Sequence, residues 1–188
     1  MSALEIRKEK RPDVREEIMG RKLPKEITDQ IDHWIQKYPA GKQKSAVMQA
    51  LMIVQEYNKG YLTKDLVGLV AEYLNMAPVA VLEVATFYSM YEHAPVGKHI
   101  LSVCTNVPCQ LKGCEKIVEH LEKKCGAKMG ENSPDGSFTL RHVECLGACV
   151  GAPVMQIDNK EYYENLTEEK VDLILNNLIN LNNLEEKK

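Results

Sequence analysis

The stretch HILSVCTNVPCQLKGCEKIVEHLEKKC, residues 99–125, changes the hydrophobic period of the chain and decides its fold. Before Gly97 the apolar residues recur every three or four positions. In HILSVC, residues 99–104, they run almost without interruption, the mark of a buried strand. From Gln110 to about Lys124 the helical period returns, with Leu111, Ile117, Val118 and Leu121 on the inward side. A strand, a short loop and a helix thus carry a cysteine at each end of the loop, Cys104 and Cys109. A rigid sheet can aim two thiols so placed at one point.

Toward the C-terminus, Ser133-Pro134-Asp135-Gly136 is a turn signal and Ser137 to Glu144 reads as a second strand. A short strand from Pro153 to Ile157, a turn at Asp158-Asn159, a strand near Glu161 to Tyr163 and a helix from Thr167 to about Leu181 come next. One crossover helix early and one helix last predict a small mixed sheet flanked by helices, spanning residues 98–182. Toward the N-terminus four short helices are expected. The first runs from Pro24 through Ile27, Ile31, Trp34 and Ile35; Ser45 is the expected cap of the second, through Val47, Leu51, Val54 and Tyr57. Thr63 caps the third, and Pro78 opens a fourth that runs to about Glu92. Brief connections between them imply a helical bundle over residues 23–94. Residues 1–22 are dense in charge and lack apolar periodicity, which suggests a charged flexible arm. The fold class is therefore α+β, a helical bundle followed by a mixed-sheet domain.

Composition narrows the function classes. A net charge of −3 shows no basic excess, which argues against nucleic acid as a partner. The most apolar stretch, Ala46 to Val54, is far shorter than the roughly 20 residues that span a bilayer, so no direct membrane insertion is expected. The opening MSALEIRKEKRPDVREE lacks the apolar core of a secretory signal and mixes acids with bases unlike a transit peptide; a reducing cytoplasmic location is expected. Six cysteines in that compartment point to metal or redox chemistry and not to a disulfide framework.

Four of the six are placed for it. Cys104 and Cys109 flank the loop Thr105-Asn106-Val107-Pro108, and Cys145 and Cys149 flank Leu146-Gly147-Ala148 at the end of another strand. Gly147 and Gly151 allow backbone N–H groups to approach sulfur. Such donors matter because four thiolates around two ferric ions and two sulfides leave a charge of −2, which reduction makes −3. Zinc is the rival, but structural zinc sites favour C-x2-C knuckles over these wider gaps. Thioredoxin-type exchange wants C-x-x-C, and a Rieske centre wants two histidines where only His142 is near. Cys114 repeats the x4 spacing after Cys109. On an unbroken helix, residues five apart differ by about 140° net. Cys114 is therefore expected to point to a different face from Cys109, and with Cys125 it reads as a buried or near-surface free thiol.

Cys104-x4-Cys109, ECLGACVGAP from Glu144 to Pro153, EVATFYSMY from Glu83 to Tyr91 and KSAVMQALMIVQEYNKGYL from Lys44 to Leu62 together resemble one family. It is that of the small thioredoxin-like [2Fe–2S] subunit, the E subunit, of respiratory complex I, NADH:quinone oxidoreductase. The likeness covers about residues 24 to 180. It implies a thioredoxin-like ferredoxin domain holding one [2Fe–2S] cluster on Cys104, Cys109, Cys145 and Cys149. It also implies an electron-transfer role, itself non-catalytic, beside a larger flavoprotein subunit that binds FMN and NADH. Other peripheral-arm subunits would be neighbours, and the chain would sit in the cytoplasm, peripheral to the inner membrane through the complex. The same resemblance admits an NAD-linked hydrogenase or formate dehydrogenase. A stand-alone ferredoxin and a zinc-binding interaction module are alternatives of another class. The chain carries no G-x-G-x-x-G of its own for a dinucleotide.

Overall fold

The computed structural model describes residues 22–185 and divides into two compact units, one ending at Ala94 and the other beginning at Pro95. Residues 1–21, the greater part of the expected charged arm, lie outside the described residues.

The first unit is helical. Helix α1 (Lys25–Ile35) follows Pro24 and buries Ile27 and Ile31, one turn apart on a single stripe. Helix α2 (Val47–Tyr57) buries Val47, Ala50, Leu51 and Val54. A 3-10 turn, Gln43–Ala46, leads into it, so Ser45 lies within that turn and does not cap α2. Helix α3 (Lys64–Tyr73) starts on Thr63, whose Oγ1 accepts the Leu66 N–H at 3.2 Å. Helix α4 (Pro78–Phe87) opens on its proline and buries Val81 and Ala85. It ends five residues earlier than its apolar pattern suggested. The segment beyond it, Tyr88 to Glu92, is held by individual hydrogen bonds. Gln55 Nε2 donates to Met90 O, the Glu92 N–H donates to Gln55 Oε1, the Leu62 N–H donates to Glu92 O, and the Tyr91 hydroxyl donates to Met48 O. Between α1 and α3, the Tyr73 hydroxyl donates to Asp32 Oδ1 at 2.7 Å. Burial first, then that carboxylate, pushes the Tyr73 phenol up to about 12.

The second unit is a four-stranded sheet in the order β2-β1-β3-β4. Strand β1 (His99–Cys104) pairs in parallel with β2 (Phe138–Val143) and antiparallel with β3 (Met155–Ile157), which pairs antiparallel with β4 (Glu161–Tyr163). A parallel pair needs a crossover, and helices α5 (Val107–Leu111) and α6 (Cys114–Cys125) supply it. Sequence periodicity suggested one helix from Gln110. The chain instead breaks at Gly113, whose φ of 85° is a left-handed conformation that favours glycine. The β3–β4 turn places Asp158 and Asn159 at positive φ, where these side chains are tolerated better than most. Helix α7 (Glu168–Glu185) closes the unit, burying Val171, Ile174, Leu175 and Leu178 against a core that includes Leu101, Val103, Leu121, Leu140 and Met155.

Candidate metal centre

Strand ends position the cysteines. The β1–β2 register places Cys104 opposite Val143, so both parallel strands finish at one edge of the sheet. Cys104 is the last residue of β1, and Cys145 lies two residues past the end of β2. The Cys104 N–H donates to Val154 O at 3.0 Å and the Thr105 N–H to Val143 O at 3.1 Å, which ties the two exits together. Helix α5 turns Cys109 inward while Val107 and Leu111, four residues apart, stay exposed.

Inner and outer pairs of thiols result. Cys104 and Cys109 are buried in a small apolar cluster with Ala152 and Val154, and Val143, Leu146 and Ala148 pack against it. The Cys104 thiol is a neighbour of Cys109 in that cluster. Burial foremost, and then that contact, pushes the Cys109 thiol up to about 11, while the Val154 backbone N–H works in the opposite direction. Cys145 and Cys149 lie exposed on the loop after β2. Along that loop the side chains alternate: Leu146 and Ala148 reach the inner cluster, and Cys145 and Cys149 face outward. Gly147, at φ 71°, brings its N–H to 3.3 Å from Cys145 Sγ. Cys149 begins a 3-10 turn, Cys149–Gly151, which leads to the cis Ala152–Pro153 peptide.

The structure thus brings Cys104 and Cys109 together and leaves Cys145 and Cys149 at the rim of the same sheet edge. Among the described residues, no three His, Cys, Asp or Glu side chains stand grouped closely enough to hold a metal ion as placed. None of the six cysteines is in a disulfide. Four free thiols and a backbone N–H donor onto sulfur are nevertheless the donor types that suit a thiolate-bound cluster.

Cys114 is a buried free thiol, as expected, but its placement relative to Cys109 differs from expectation. Because Gly113 interrupts the helix, the five-residue angular argument does not apply, and Cys114 joins the buried cluster of Cys104 and Cys109 instead of pointing to a different face. Burial raises its thiol, with smaller contributions from Glu115 and Cys104. The signal available in the sequence was the glycine before it. Cys125 is buried in the main core, and its thiol is pushed up to about 11 by desolvation, as suits an unreactive side chain. His142 is exposed, as a surface side chain.

A mixed sheet with a parallel β1–β2 pair, helices α6 and α7 beside it and free cysteines at two strand exits defines a thioredoxin-like unit. The chain belongs to the thioredoxin-like [2Fe-2S] ferredoxin family, whose model matches residues 31–179. That membership supports an iron–sulfur cluster. The chain is 45% identical over 146 residues to the E subunit of NADH-quinone oxidoreductase from Rickettsia felis, covering 78% of this chain and 87% of that one. It is 42% identical over 149 residues to the second E subunit of the same enzyme from Rhizobium meliloti, covering 79% and 86%. Among solved structures, the NAD+-reducing [NiFe]-hydrogenase in its air-oxidised state matches with TM-score 0.59 and 16% identity, over 70% of this chain and 23% of that one. At that identity the likeness concerns the fold. Among the described residues no helix is long and apolar enough to cross a membrane.

Proposed function

We propose that this chain is the [2Fe–2S] electron-transfer subunit of an NADH-oxidising complex of the NADH:quinone oxidoreductase type, with Cys104, Cys109, Cys145 and Cys149 as the ligands. The observation that supports the site is the β1–β2 register: the two parallel strands end together, with Cys104 closing β1 and Cys145 two residues past β2. Identity to named NADH-quinone oxidoreductase E subunits over most of both chains supports the complex. The residues fit the cluster, which supplies a group that accepts and releases one electron at a time. Gly147 offers an N–H dipole to the Cys145 sulfur, so added negative charge meets a fixed donor. The apolar wall of Ala152, Val154 and Leu146 keeps water from the inner pair.

The chain itself performs no substrate chemistry in this reading. A larger flavoprotein subunit binds NADH and FMN, further peripheral-arm subunits adjoin it, and the whole lies on the cytoplasmic side of the inner membrane. Residues 98–182 hold the cluster, and residues 23–94 serve as the docking element. Helix α4 suits that role: Val79 and Phe87 are 62% and 79% exposed on a helix with few charges, and exposed aromatic groups are enriched at protein interfaces.

Anaerobic reconstitution with ferrous iron and sulfide tests the metal centre. The product should be brown, with one unpaired electron spin on reduction, and Cys145→Ala and Cys149→Ala should each lose it. One zinc per chain without visible absorption overturns the reading. Co-purification from the source cell identifies the assembly: a hydrogenase or formate dehydrogenase as partner, or none, refutes the quinone-reductase assignment. Phe87→Ser should weaken capture of the flavoprotein while leaving the cluster spectrum unchanged.

A further inference from the structure

We propose that Glu164 is a positioning and charge-setting residue of the metal centre. Its side chain fills the space that a side chain at position 151 would need, pins the turn that carries Cys149, and opposes the addition of an electron there. This rests on the iron–sulfur reading above and deepens it. Gly151 is buried and closes the 3-10 turn that Cys149 begins. Its φ lies outside the left-handed region, so its backbone conformation does not call for glycine. The space around it does. A Cβ at this position would fall 2.6 Å from Glu164 Cβ and 2.5 Å from Glu164 Cδ, and nearer still to the carboxylate oxygen Oε2. No side chain fits while Glu164 stays where it is.

The strap that carries Glu164 is fixed from two sides. The Asn165 N–H donates to Gly151 O and the Leu166 N–H to Pro153 O, so the chain leaving β4 is bonded along the chain leaving Cys149. From α7, Lys170 donates its Nζ to Glu164 O, the carbonyl, while the carboxylate lies against Gly151. Among the described residues no cation is paired with that carboxylate. An uncompensated negative charge is thus held against the turn of one ligand. Reduction adds one electron, moves no proton and breaks no bond, and it increases a negative charge that a neighbouring carboxylate repels. Removing the Glu164 charge therefore raises the reduction potential. Taking its space at position 151 disturbs the Cys149 turn.

The full chain and the variants Glu164→Gln, Gly151→Ala and Gly151→Ala/Glu164→Gly are reconstituted anaerobically with ferrous iron and sulfide. Iron content, thermal midpoint and reduction potential are measured, the last by dithionite titration followed through the spin signal. Low ionic strength is used, because Glu164 is exposed and salt screens its charge. Glu164→Gln keeps the shape and loses the charge. It should match the parent in iron and thermal midpoint, while the reduced-to-oxidised ratio at a fixed poise rises at least about twofold, or about 18 mV at about 59 mV per tenfold. Gly151→Ala should lose most of the iron and melt lower, and the double variant, whose new methyl fills the vacated space, should recover in both. Thermal midpoints of the iron-free chains read the same exchange of space if Gly151→Ala holds no iron. A smaller rise, no rise or a fall in the Glu164→Gln ratio overturns the proposal, as does a Glu164→Gln chain that fails to load, since glutamine fills the same space. A Gly151→Ala chain that loads and melts like the parent, or a double variant no better than Gly151→Ala, overturns it too. A parent chain that takes up no cluster overturns the iron–sulfur reading and this proposal with it, whereas a loaded parent whose potential ignores Glu164→Gln overturns this proposal alone.

Discussion

Replacing Gln55 by Leu removes two of the hydrogen bonds that hold the segment after α4 against α2. Gln55 is 4% exposed; its Nε2 donates to Met90 O at 3.0 Å and its Oε1 accepts the Glu92 N–H at 2.7 Å. Leucine fills a similar volume and answers neither group. A buried backbone donor or acceptor left without a partner costs about 1–3 kcal/mol. Two of them, offset in part by about 1 kcal/mol of extra apolar burial, predict a net loss of about 1–5 kcal/mol, centred on about 3 kcal/mol. With a urea dependence of about 1–3 kcal/mol per molar, the midpoint should fall by about 1–2 M. The single tryptophan, Trp34, lies on α1, so its fluorescence reports the helical unit that contains Gln55. A midpoint within about 0.3 M of the parent would show that these hydrogen bonds contribute little, and would refute their role in holding this segment.

Two further perturbations address the sheet unit. Leu121→Ala deletes a fully buried side chain between α6 and the sheet and should cost about 2–5 kcal/mol, read as a lower thermal midpoint by far-ultraviolet dichroism. Asp172 on α7 meets Lys124 Nζ at 2.9 Å and His120 Nε2 at 2.8 Å, and Lys124 first, then His120, holds its carboxyl below the usual range. A depressed carboxylate stabilises the fold above its unfolded value of about 3.9, and that contribution is lost as pH falls through the lower folded value. Asp172→Asn should therefore reduce stability at neutral pH and flatten its decline below about pH 4, measured as urea midpoint against pH. An unchanged acid limb would show that Asp172 contributes nothing to acid unfolding.

Periodicity was enough to read most elements. The 3.6-residue stripes of α1, α3 and α7, the Thr63 cap, the Pro78 start and the continuous apolar run of β1 are local patterns, and local sterics and hydrogen bonding enforce them whatever lies further along the chain. The two cysteine spacings were equally legible, because each joins a strand to the loop beyond it. Other features required the assembled fold. That β1 pairs with β2 in parallel and with β3 antiparallel depends on which apolar faces meet across long separations, and no single window of sequence contains that choice. Ser45 failed as a cap because a 3-10 turn absorbed it. The burial of Gln55 arises from partners 35 and 37 residues away. Cys114 shows the division most clearly. Its distance from Cys109 along the chain argued for different faces of a helix, whereas one left-handed glycine ends that helix, and Cys114 then packs into the buried cluster that contains Cys104, Cys109 and Val154.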